Sequence, residues 1–265
     1  MRANPLRKIF ANGGAAVNGW LALPTSFSAE VMAHQGWDSL TVDMQHGVVD
    51  YAQAVQMFTA ISTTGVTPLA RVPWLDAGIV MKTLDAGAYG VICPMVNNRE
   101  DAEAFVSAAR YPPRGRRSYG PIRALLYGGA DYPKHADDTV LTIAMVETAE
   151  ALDNLDAIMS VPGLDAVYIG PADLSNALGC TPKFDQDEKP VVEAIDAIAA
   201  AAKRHGIIAG IHNGTPEYAR KMIGLGFQFV TIGSDARFIA AGAKAIVEAM
   251  RGVGGDGDGD GDATY

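Results

Sequence analysis

The sequence is poor in cysteine and lacks long apolar runs. Its 265 residues include two cysteines, Cys93 and Cys180, without the spacing of a metal-binding motif. Such a pair does not establish a disulfide, and it is compatible with a reducing compartment. No apolar run approaches the roughly 20 residues that a membrane-spanning helix needs. Polar residues and glycines at positions 12–18 make the start a poor signal peptide, so we expect a cytoplasmic protein.

An excess of basic charge is also missing. Acidic residues outnumber basic ones by 30 to 21, which gives a formal net charge of −9. Four of these charges come from the Gly/Asp repeat at residues 254–262, so the rest of the chain carries −5. Nucleic acid is therefore not expected as a partner, since binding it requires a concentrated basic face. The repeat has no apolar side chain to bury, and we predict a flexible tail over residues 253–265.

The remaining chain alternates short apolar runs with amphipathic segments. The hydrophobic content of 49% is sufficient for a full core, and no linker interrupts it, so we predict one domain over residues 1–252. The predicted strands are residues 18–23, 39–44, 67–72, 90–96, 142–147, 166–170, 207–211 and 229–233. The predicted helices are residues 28–35, 51–63, 77–85, 99–110, 149–160, 188–205, 216–225 and 235–251.

Eight strand–helix units in strict alternation favour the α/β class and closure as a single (β/α)8 TIM barrel. Glycines follow several helices, as a left-handed helix end requires: Gly36, Gly87, Gly206 and Gly226. The alternative is an open doubly wound sheet, but no G-x-G-x-x-G motif follows the first strand.

Two consecutive apolar runs end in a carboxylate. The run at residues 143–147 ends in Glu147, and the segment Tyr-Ile-Gly-Pro-Ala-Asp at residues 168–173 ends in Asp173. A charge at the rim of an apolar core is costly unless a positive group binds there. Carboxylates from neighbouring strand ends suit a hard divalent cation. The alternative is that both residues are helix caps or salt-bridge partners.

Other strand ends would bring Asp43, His46, Arg71 and His212 to the same rim, because a barrel of this type has its site at the carboxyl ends of its strands. A divalent cation there would chelate a 2-oxo acid and act as a Lewis acid. Arg71 would stabilise the enolate oxygen, and His46, oriented by Asp43, would shuttle a proton. The alternatives are a capping or surface histidine and a structural ion pair for Arg71.

Two further segments are candidates. The turn Gly170, Pro171, Ala172, Asp173 can present backbone N–H groups to a substrate carboxylate. The long connection at residues 111–139 has the length of a lid or binding loop. Its arginines would meet an anionic substrate or an adjacent subunit, or else lie on the solvated surface: Arg114, Arg116, Arg117 and Arg123.

Several motifs in this order resemble the class II pyruvate aldolases of the HpcH/HpaI aldolase/citrate lyase superfamily, over roughly residues 15–250. They are Asp-Met-Gln-His-Gly (43–47), Leu-Ala-Arg-Val-Pro-Trp (69–74), Arg-Tyr-Pro-Pro-Arg-Gly-Arg-Arg (110–117), Val-Glu-Thr (146–148) and Ile-Gly-Pro-Ala-Asp-Leu-Ser (169–175). The resemblance includes aldolases of 4-hydroxy-2-oxoheptanedioate and of 2-dehydro-3-deoxyglucarate.

The resemblance implies that Glu147 and Asp173 bind Mg²⁺, Mn²⁺ or Co²⁺, that Arg71 stabilises a pyruvate enolate, and that His46 and Asp43 form an acid/base dyad. It implies that backbone amides at Ala172 and Asp173 hold the pyruvate carboxylate. It also implies a homohexamer, a trimer of dimers, in which the last helix is exchanged between subunits.

The chain departs from the family pattern at three positions. Gln45 stands where many relatives have Glu, Met145 where many have Gln, and His212 where some have an apolar residue facing the aldehyde. The acceptor aldehyde therefore does not carry over from any relative.

The sequence thus predicts a divalent-metal-dependent aldolase that reversibly cleaves 4-hydroxy-2-oxo acids to pyruvate and an aldehyde. Oxaloacetate decarboxylation is expected as a side activity. The alternatives are a CoA-thioester lyase of the citrate or malyl type, with the arginine-bearing connection as its CoA site, and a non-catalytic barrel that binds a small acid.

Overall fold

The chain folds as a closed barrel of eight parallel strands, paired in sequence order from the first to the eighth and back to the first. The structure, a computed structural model, describes residues 1–252, and the predicted tail lies outside them. The strands are β1 (Ala16–Leu21), β2 (Ser39–Asp43), β3 (Thr67–Arg71), β4 (Gly90–Cys93), β5 (Leu141–Val146), β6 (Ala166–Ile169), β7 (Ile208–Asn213) and β8 (Phe229–Ser234). The predicted (β/α)8 TIM barrel is confirmed.

Thirteen helices surround these strands within residues 1–252. They are α1 (Pro5–Ala11), α2 (Ser26–Ala33), α3 (Tyr51–Ile61), α4 (Ala77–Asp85), α5 (Arg99–Ala109), α6 (Ile122–Gly128), α7 (Tyr132–Thr139), α8 (Ala149–Asp153), α9 (Leu155–Met159), α10 (Pro171–Ala177), α11 (Lys189–His205), α12 (Pro216–Gly224) and α13 (Asp235–Arg251). Several begin at a residue whose side chain accepts a first-turn N–H group, such as Asp50 of α3 and Ser234 of α13. No helix of this part of the chain is long and apolar enough to cross a membrane.

The amino ends of the strands are covered by α1. Leu6 is fully buried in a cluster with the first residues of β1, β5, β6 and β8. Asn4 donates to the carbonyls of Tyr89 and Thr139, which precede β4 and β5. Gln228, before β8, donates to the carbonyl of Phe10. Because α1 covers this end, the opposite end, where the carboxylates lie, is left for the site.

A buried polar layer lies inside the barrel beneath the site. Asn18 on β1 accepts hydrogen bonds from Ser39 and Thr41 on β2, at 2.8 and 3.1 Å, and donates to Thr231 on β8 at 3.0 Å. These residues are fully buried, and each polar group named here has a partner. The register between β1 and β8 shifts between Asn18 and Trp20, as at a β-bulge.

Four helices were not expected from the sequence: α1, α6, α7 and α10. The connection over residues 111–139 is therefore not a long loop. It contains α6 and α7, whose turn-forming Pro133, Gly128 and Gly129 favour a loop interpretation, although proline is tolerated in the first turn of a helix. The expected helix at 149–160 is two helices, α8 and α9, which meet at Asn154, whose side chain donates to the carbonyls of Asn97 and Glu150.

The last helix, α13, exposes its apolar face. Of its 17 residues only Asp235 is buried. The large apolar side chains that it leaves exposed are Phe238, Ile239, Ile246, Val247 and Met250. A helix with an apolar stripe normally packs that stripe against another element. Most of this face has no such cover within residues 1–252.

Candidate active site

Glu147 directly follows β5, and its carboxylate is buried at the rim of the barrel with 2% of the residue exposed. The backbone N–H of Met95 donates to Glu147 Oε1 at 3.0 Å. Met95 has a φ of 55°, the left-handed region that residues with a side chain rarely adopt. Such strain persists where the surrounding structure imposes it, often at functional sites. Met95 was missed by the sequence analysis because nothing in its type indicates this conformation.

The prediction that Asp173 ends a strand is wrong. β6 stops at Ile169, and Asp173 lies exposed in the first turn of α10, which begins at Pro171. Gly170 joins the two elements, and a Cβ at this position would lie 2.2 Å from Glu147 Oε2. The Glu147 carboxylate therefore lies against the backbone just before α10, where a glycine is required.

The two carboxylates affect each other. Burial raises the pKa of Glu147 to about 7, and the negative charge of Asp173 adds to the rise, against the Met95 hydrogen bond and the positive charge of Arg71. A divalent cation would relieve this repulsion and the cost of burying an ionised carboxylate. Within residues 1–252, no group of three or more His, Cys, Asp and Glu side chains could hold a metal. The Glu147–Asp173 pair would thus leave the other coordination positions to water and substrate oxygens, as Mg²⁺ sites commonly do.

Asp43 and Arg71 form a buried ion pair across β2 and β3, where they are direct register partners. Arg71 Nε and Nη2 donate to the two oxygens of Asp43 at 2.9 and 2.7 Å. Trp20 Nε1 donates to the same carboxylate at 3.0 Å. Burial alone would raise the pKa of Asp43, but the Arg71 charge and these hydrogen bonds hold it below its ordinary value.

His46 lies exposed at the mouth of the site, after β2. Asp43 Oδ1 accepts the backbone N–H groups of Gln45 and His46, at 3.1 and 3.3 Å. Asp43 therefore fixes the main chain that carries the histidine, while its carboxylate is paired with Arg71. The prediction that His46 and Asp43 act as a dyad stays a prediction.

His212, on β7, lies among aromatic rings. Its Nδ1 shares a hydrogen bond of 3.1 Å with the hydroxyl of Tyr168. Phe184 and Trp20 contact the ring, with centroid distances of 4.5 and 5.2 Å. Burial, followed by the charge of Arg71, lowers the pKa of His212 to about 3. The imidazole is therefore neutral at physiological pH and offers hydrogen bonds without charge.

Phe184 reaches the site from the connection between α10 and α11, and its role was not expected. The connection is fixed by the two residues that directly follow Phe184. Asp185 accepts from Gly214 N and Thr215 Oγ1 at 2.7 and 2.6 Å. The buried side chain of Gln186 donates to Ser175 Oγ at 2.6 Å. The ring therefore lines the mouth of the barrel from an anchored segment.

Two adjoining cavities open at this mouth. The first is lined by Arg71, Met145, Gly170, Ala172, Asp173 and His212, among others. The second is lined by Trp20, Asp43, His46, Ser234 and Arg237, among others, and shares Phe184 and His212 with the first. The structure thus brings the sequence-predicted residues Asp43, His46, Arg71, Asp173 and His212 to one end of the barrel, with Glu147 beside Gly170.

The comparisons with known proteins agree with this architecture. The family model described as HpcH/HpaI aldolase/citrate lyase matches residues 18–241. The chain belongs to the HpcH/HpaI aldolase/citrate lyase family. It is 42% identical over 244 residues to a hydroxypyruvate/pyruvate aldolase of Rhizorhabdus wittichii, covering 92% of this chain and 97% of that one.

Two further members of the family are similar over nearly their full length. A 4-hydroxy-2-oxo-heptane-1,7-dioate aldolase of Klebsiella pneumoniae is 34% identical over 248 residues, 92% of each chain. The crystal structure of a family protein from Burkholderia cenocepacia superposes with a TM-score of 0.87 at 29% identity, covering 94% of this chain and 99% of that one. As a member of this aldolase family, the chain is a carbon–carbon lyase.

The arginines of the connection over residues 111–139 contact the outer helices. Arg117 is buried and pairs with Asp85 at 2.6 Å, and Arg114 pairs with Asp138 at 2.6 Å. The remaining two donate to hydroxyl or carbonyl oxygens of Ser107, Thr59, Ser62 and Ala86. These contacts attach the connection to α4, α5 and α3. The expectation that it meets an anionic substrate or an adjacent subunit stays a prediction.

The raised pKa of Glu147 gives the first prediction. In metal-free protein the folded state holds a proton on Glu147 between about pH 4.3, the ordinary pKa of Glu, and about 7, so stability falls as pH rises through this window. Glu147→Gln removes the ionisation and keeps an acceptor for Met95 N–H. We expect the variant to be more stable than the parent by about 3–4 kcal/mol at about pH 8, in urea denaturation with a chelator.

The two proteins should be equally stable near pH 4, where Glu147 is protonated in both states. A gap of the same size at both pH values, or none at about pH 8, would contradict the assigned cause.

The contact at Gly170 gives the second prediction. Gly170→Ala places a Cβ where Glu147 Oε2 lies, so the carboxylate must move. We expect the affinity for Mn²⁺, measured by calorimetry, to fall by at least about tenfold, as for other changes that disturb a metal ligand. Gly224→Ala on α12 is the control, because a Cβ there meets nothing within 4 Å. Equal Mn²⁺ affinity in the two variants would remove the proposed link between Gly170 and the metal ligand.

Proposed function

We propose that this lyase is a divalent-metal-dependent aldolase that reversibly cleaves 4-hydroxy-2-oxo acids to pyruvate and an aldehyde. The observation that carries the proposal is the pairing of a buried and an exposed carboxylate, Glu147 and Asp173, beside the Arg71 guanidinium. The names of the similar proteins, aldolases of pyruvate or of 4-hydroxy-2-oxo acids, support the same reaction class.

Glu147 and Asp173 would hold Mg²⁺, Mn²⁺ or Co²⁺ through carboxylate oxygens. When bound, the cation would act as a Lewis acid towards the 2-oxo acid. The first-turn N–H groups of Ala172 and Asp173 have no partner within α10, as in any helix start, and would bind the substrate carboxylate together with Gly170 and Pro171.

Arg71 would stabilise the negative charge that develops on the C2 oxygen as the enolate forms. Its position is fixed by two hydrogen bonds to Asp43, so no reorganisation is needed when charge develops. The buried pair also fixes the side chain of Trp20. Its Nε1 donates to Asp43, and the centre of its ring lies 4.9 Å from the Arg71 guanidinium carbon. Arg71 is thus both a substrate-binding and a charge-stabilising residue.

His46 would carry the proton. In the cleavage direction a base takes the proton of the C4 hydroxyl, and the C3–C4 bond breaks as the aldehyde leaves. The electron pair of that bond forms the C2–C3 double bond, and the C2 carbonyl becomes the enolate oxygen. His46, directly or through water, then delivers a proton to C3 and gives pyruvate. Oxaloacetate would lose carbon dioxide through the same enolate, so decarboxylation is the expected side activity.

This mechanism predicts the effect of four substitutions on pyruvate release from 4-hydroxy-2-oxopentanoate. Glu147→Ala and Asp173→Ala should reduce activity to the level of the chelator-treated enzyme. Arg71→Lys should lower kcat by about 10²–10³-fold, and His46→Ala by about 10²–10⁴-fold. Asp196→Ala, an exposed acid on α11, is the control and should keep full activity.

Full activity after complete chelation would eliminate the metal mechanism. Cleavage of a CoA thioester, with binding of CoA by calorimetry, would favour the citrate or malyl type of lyase instead. Binding of pyruvate without turnover of any of these substrates would favour the small-acid-binding barrel.

The apolar face of α13 supports a proposed assembly. We propose a homo-oligomer, a hexamer built as a trimer of dimers, in which α13 packs against a neighbouring copy of the chain. Ile239 and Ile246 share a face because they lie seven residues apart on this helix, and they are 60% and 67% exposed.

The earlier expectation of a cytoplasmic protein stays a prediction.

Replacing both residues with Glu would place charges in that interface. We expect the molar mass of Ile239→Glu/Ile246→Glu, measured by light scattering, to fall towards that of a single chain. Lys244→Gln, on the same helix, is the control and should keep the parental mass. A parental mass that already equals one chain would contradict the proposed oligomer.

A further inference from the structure

Several residues that line the second cavity, among them Arg237, have no role in the proposed reaction. This cavity adjoins the cavity around Asp173 through the shared residues Phe184 and His212. His46, the proposed proton carrier, also lines it. An aldehyde that reacts beside His46 would therefore extend its remaining atoms into this second cavity, which we call the acceptor cavity.

Two carboxylates beside the acceptor cavity are engaged within the chain: Asp43 lines it, and Asp235 lies between its lining residues Ser234 and Ala236. Asp43 is paired with Arg71 and Trp20. Asp235, at the start of α13, is buried and accepts the N–H groups of Ala22 and Leu23 and the hydroxyl of Ser28, at 2.8, 3.3 and 2.7 Å. Neither carboxylate forms an ion pair with the arginine that lines the same cavity.

That arginine is Arg237, in the first turn of α13. Its Nη1 is buried and has no hydrogen-bond partner among residues 1–252, and no carboxylate of this part of the chain lies within ion-pair distance. Its guanidinium carbon lies 5.4 Å from the centre of the Phe184 ring. A charged donor that is buried without an acceptor is costly. The cost is removed when an anionic acceptor enters the cavity.

We infer that Arg237 binds a carboxylate carried by the acceptor aldehyde, so that the preferred acceptors are small aldehydes with a carboxylate at the other end. The guanidinium matches a carboxylate in charge and in geometry. Phe184, which contacts both Arg237 and His212, covers the carbon chain between the two ends. The aldol product is then a 4-hydroxy-2-oxo dicarboxylic acid.

This inference rests on the proposed aldolase function and adds a specificity-determining residue to it. Arg237 is a binding residue for the acceptor and takes no part in proton transfer. Its loss should therefore affect KM for a charged aldehyde more than kcat, and more than the kinetics of an uncharged aldehyde of the same shape.

The test compares 4-oxobutanoate with its uncharged isostere 4-methylpentanal, each with pyruvate and Mn²⁺. In the parent enzyme we expect kcat/KM to favour 4-oxobutanoate. Arg237→Met should reduce that preference by about 10- to 100-fold, the range for losing a hydrogen bond to a charged group, chiefly through KM. Arg237→Lys should retain part of it. Arg251→Met removes the same charge from the far end of α13 and should leave the preference intact.

Two outcomes would overturn the inference. A preference that is equal in the parent and in Arg237→Met would mean that Arg237 meets another group, such as a carboxylate of a neighbouring copy. Equal use of both aldehydes by the parent would mean that the cavity does not select charge. Turnover of 4-methylpentanal shows in both cases that the aldolase function holds, whereas turnover of neither aldehyde would contradict that function and the inference with it.

Discussion

The site depends on two carboxylates that repel each other at the rim of an apolar barrel. Glu147 is buried and Asp173 is exposed, and the raised pKa of Glu147 reflects both its burial and its neighbour. The structure maintains this arrangement through a strained Met95, whose N–H binds Glu147, and through Gly170, whose missing side chain makes room for it. An arrangement that is unfavourable in the protein alone would become favourable around the proposed cation.

The rest of the barrel positions other groups around that pair. Adjacent strands place Asp43 opposite Arg71, and their ion pair fixes a guanidinium beside the carboxylates. The helix α1 covers the opposite end, so the site has one open side. The anchored Phe184 and the neutral His212 then divide this side into a cavity near Asp173 and the acceptor cavity. Under the proposed reaction, chemistry and selectivity would be supplied by different strands and loops.

Much of this organisation could be predicted from the sequence, because buried parallel strands are continuous apolar runs and their polar ends converge in a barrel. Glu147 and Arg71 could be predicted as site residues because each is a charged residue at the end of an apolar run. Asp173 was assigned to a strand end because Gly170 and Pro171 are typical of a turn, and the helix that begins at Pro171 is short. Phe184 and Arg237 were missed because each reaches the site through tertiary contacts that no local pattern records.

A crystal structure with Mn²⁺ and pyruvate, with the ion located by its anomalous scattering, tests the metal pair most directly. The proposed site predicts one manganese ion with an oxygen of Glu147 and an oxygen of Asp173 each at about 2.0–2.3 Å, and with pyruvate oxygens completing its coordination. An ion that contacts one of these carboxylates alone, or that lies elsewhere while pyruvate occupies the barrel mouth, would contradict it.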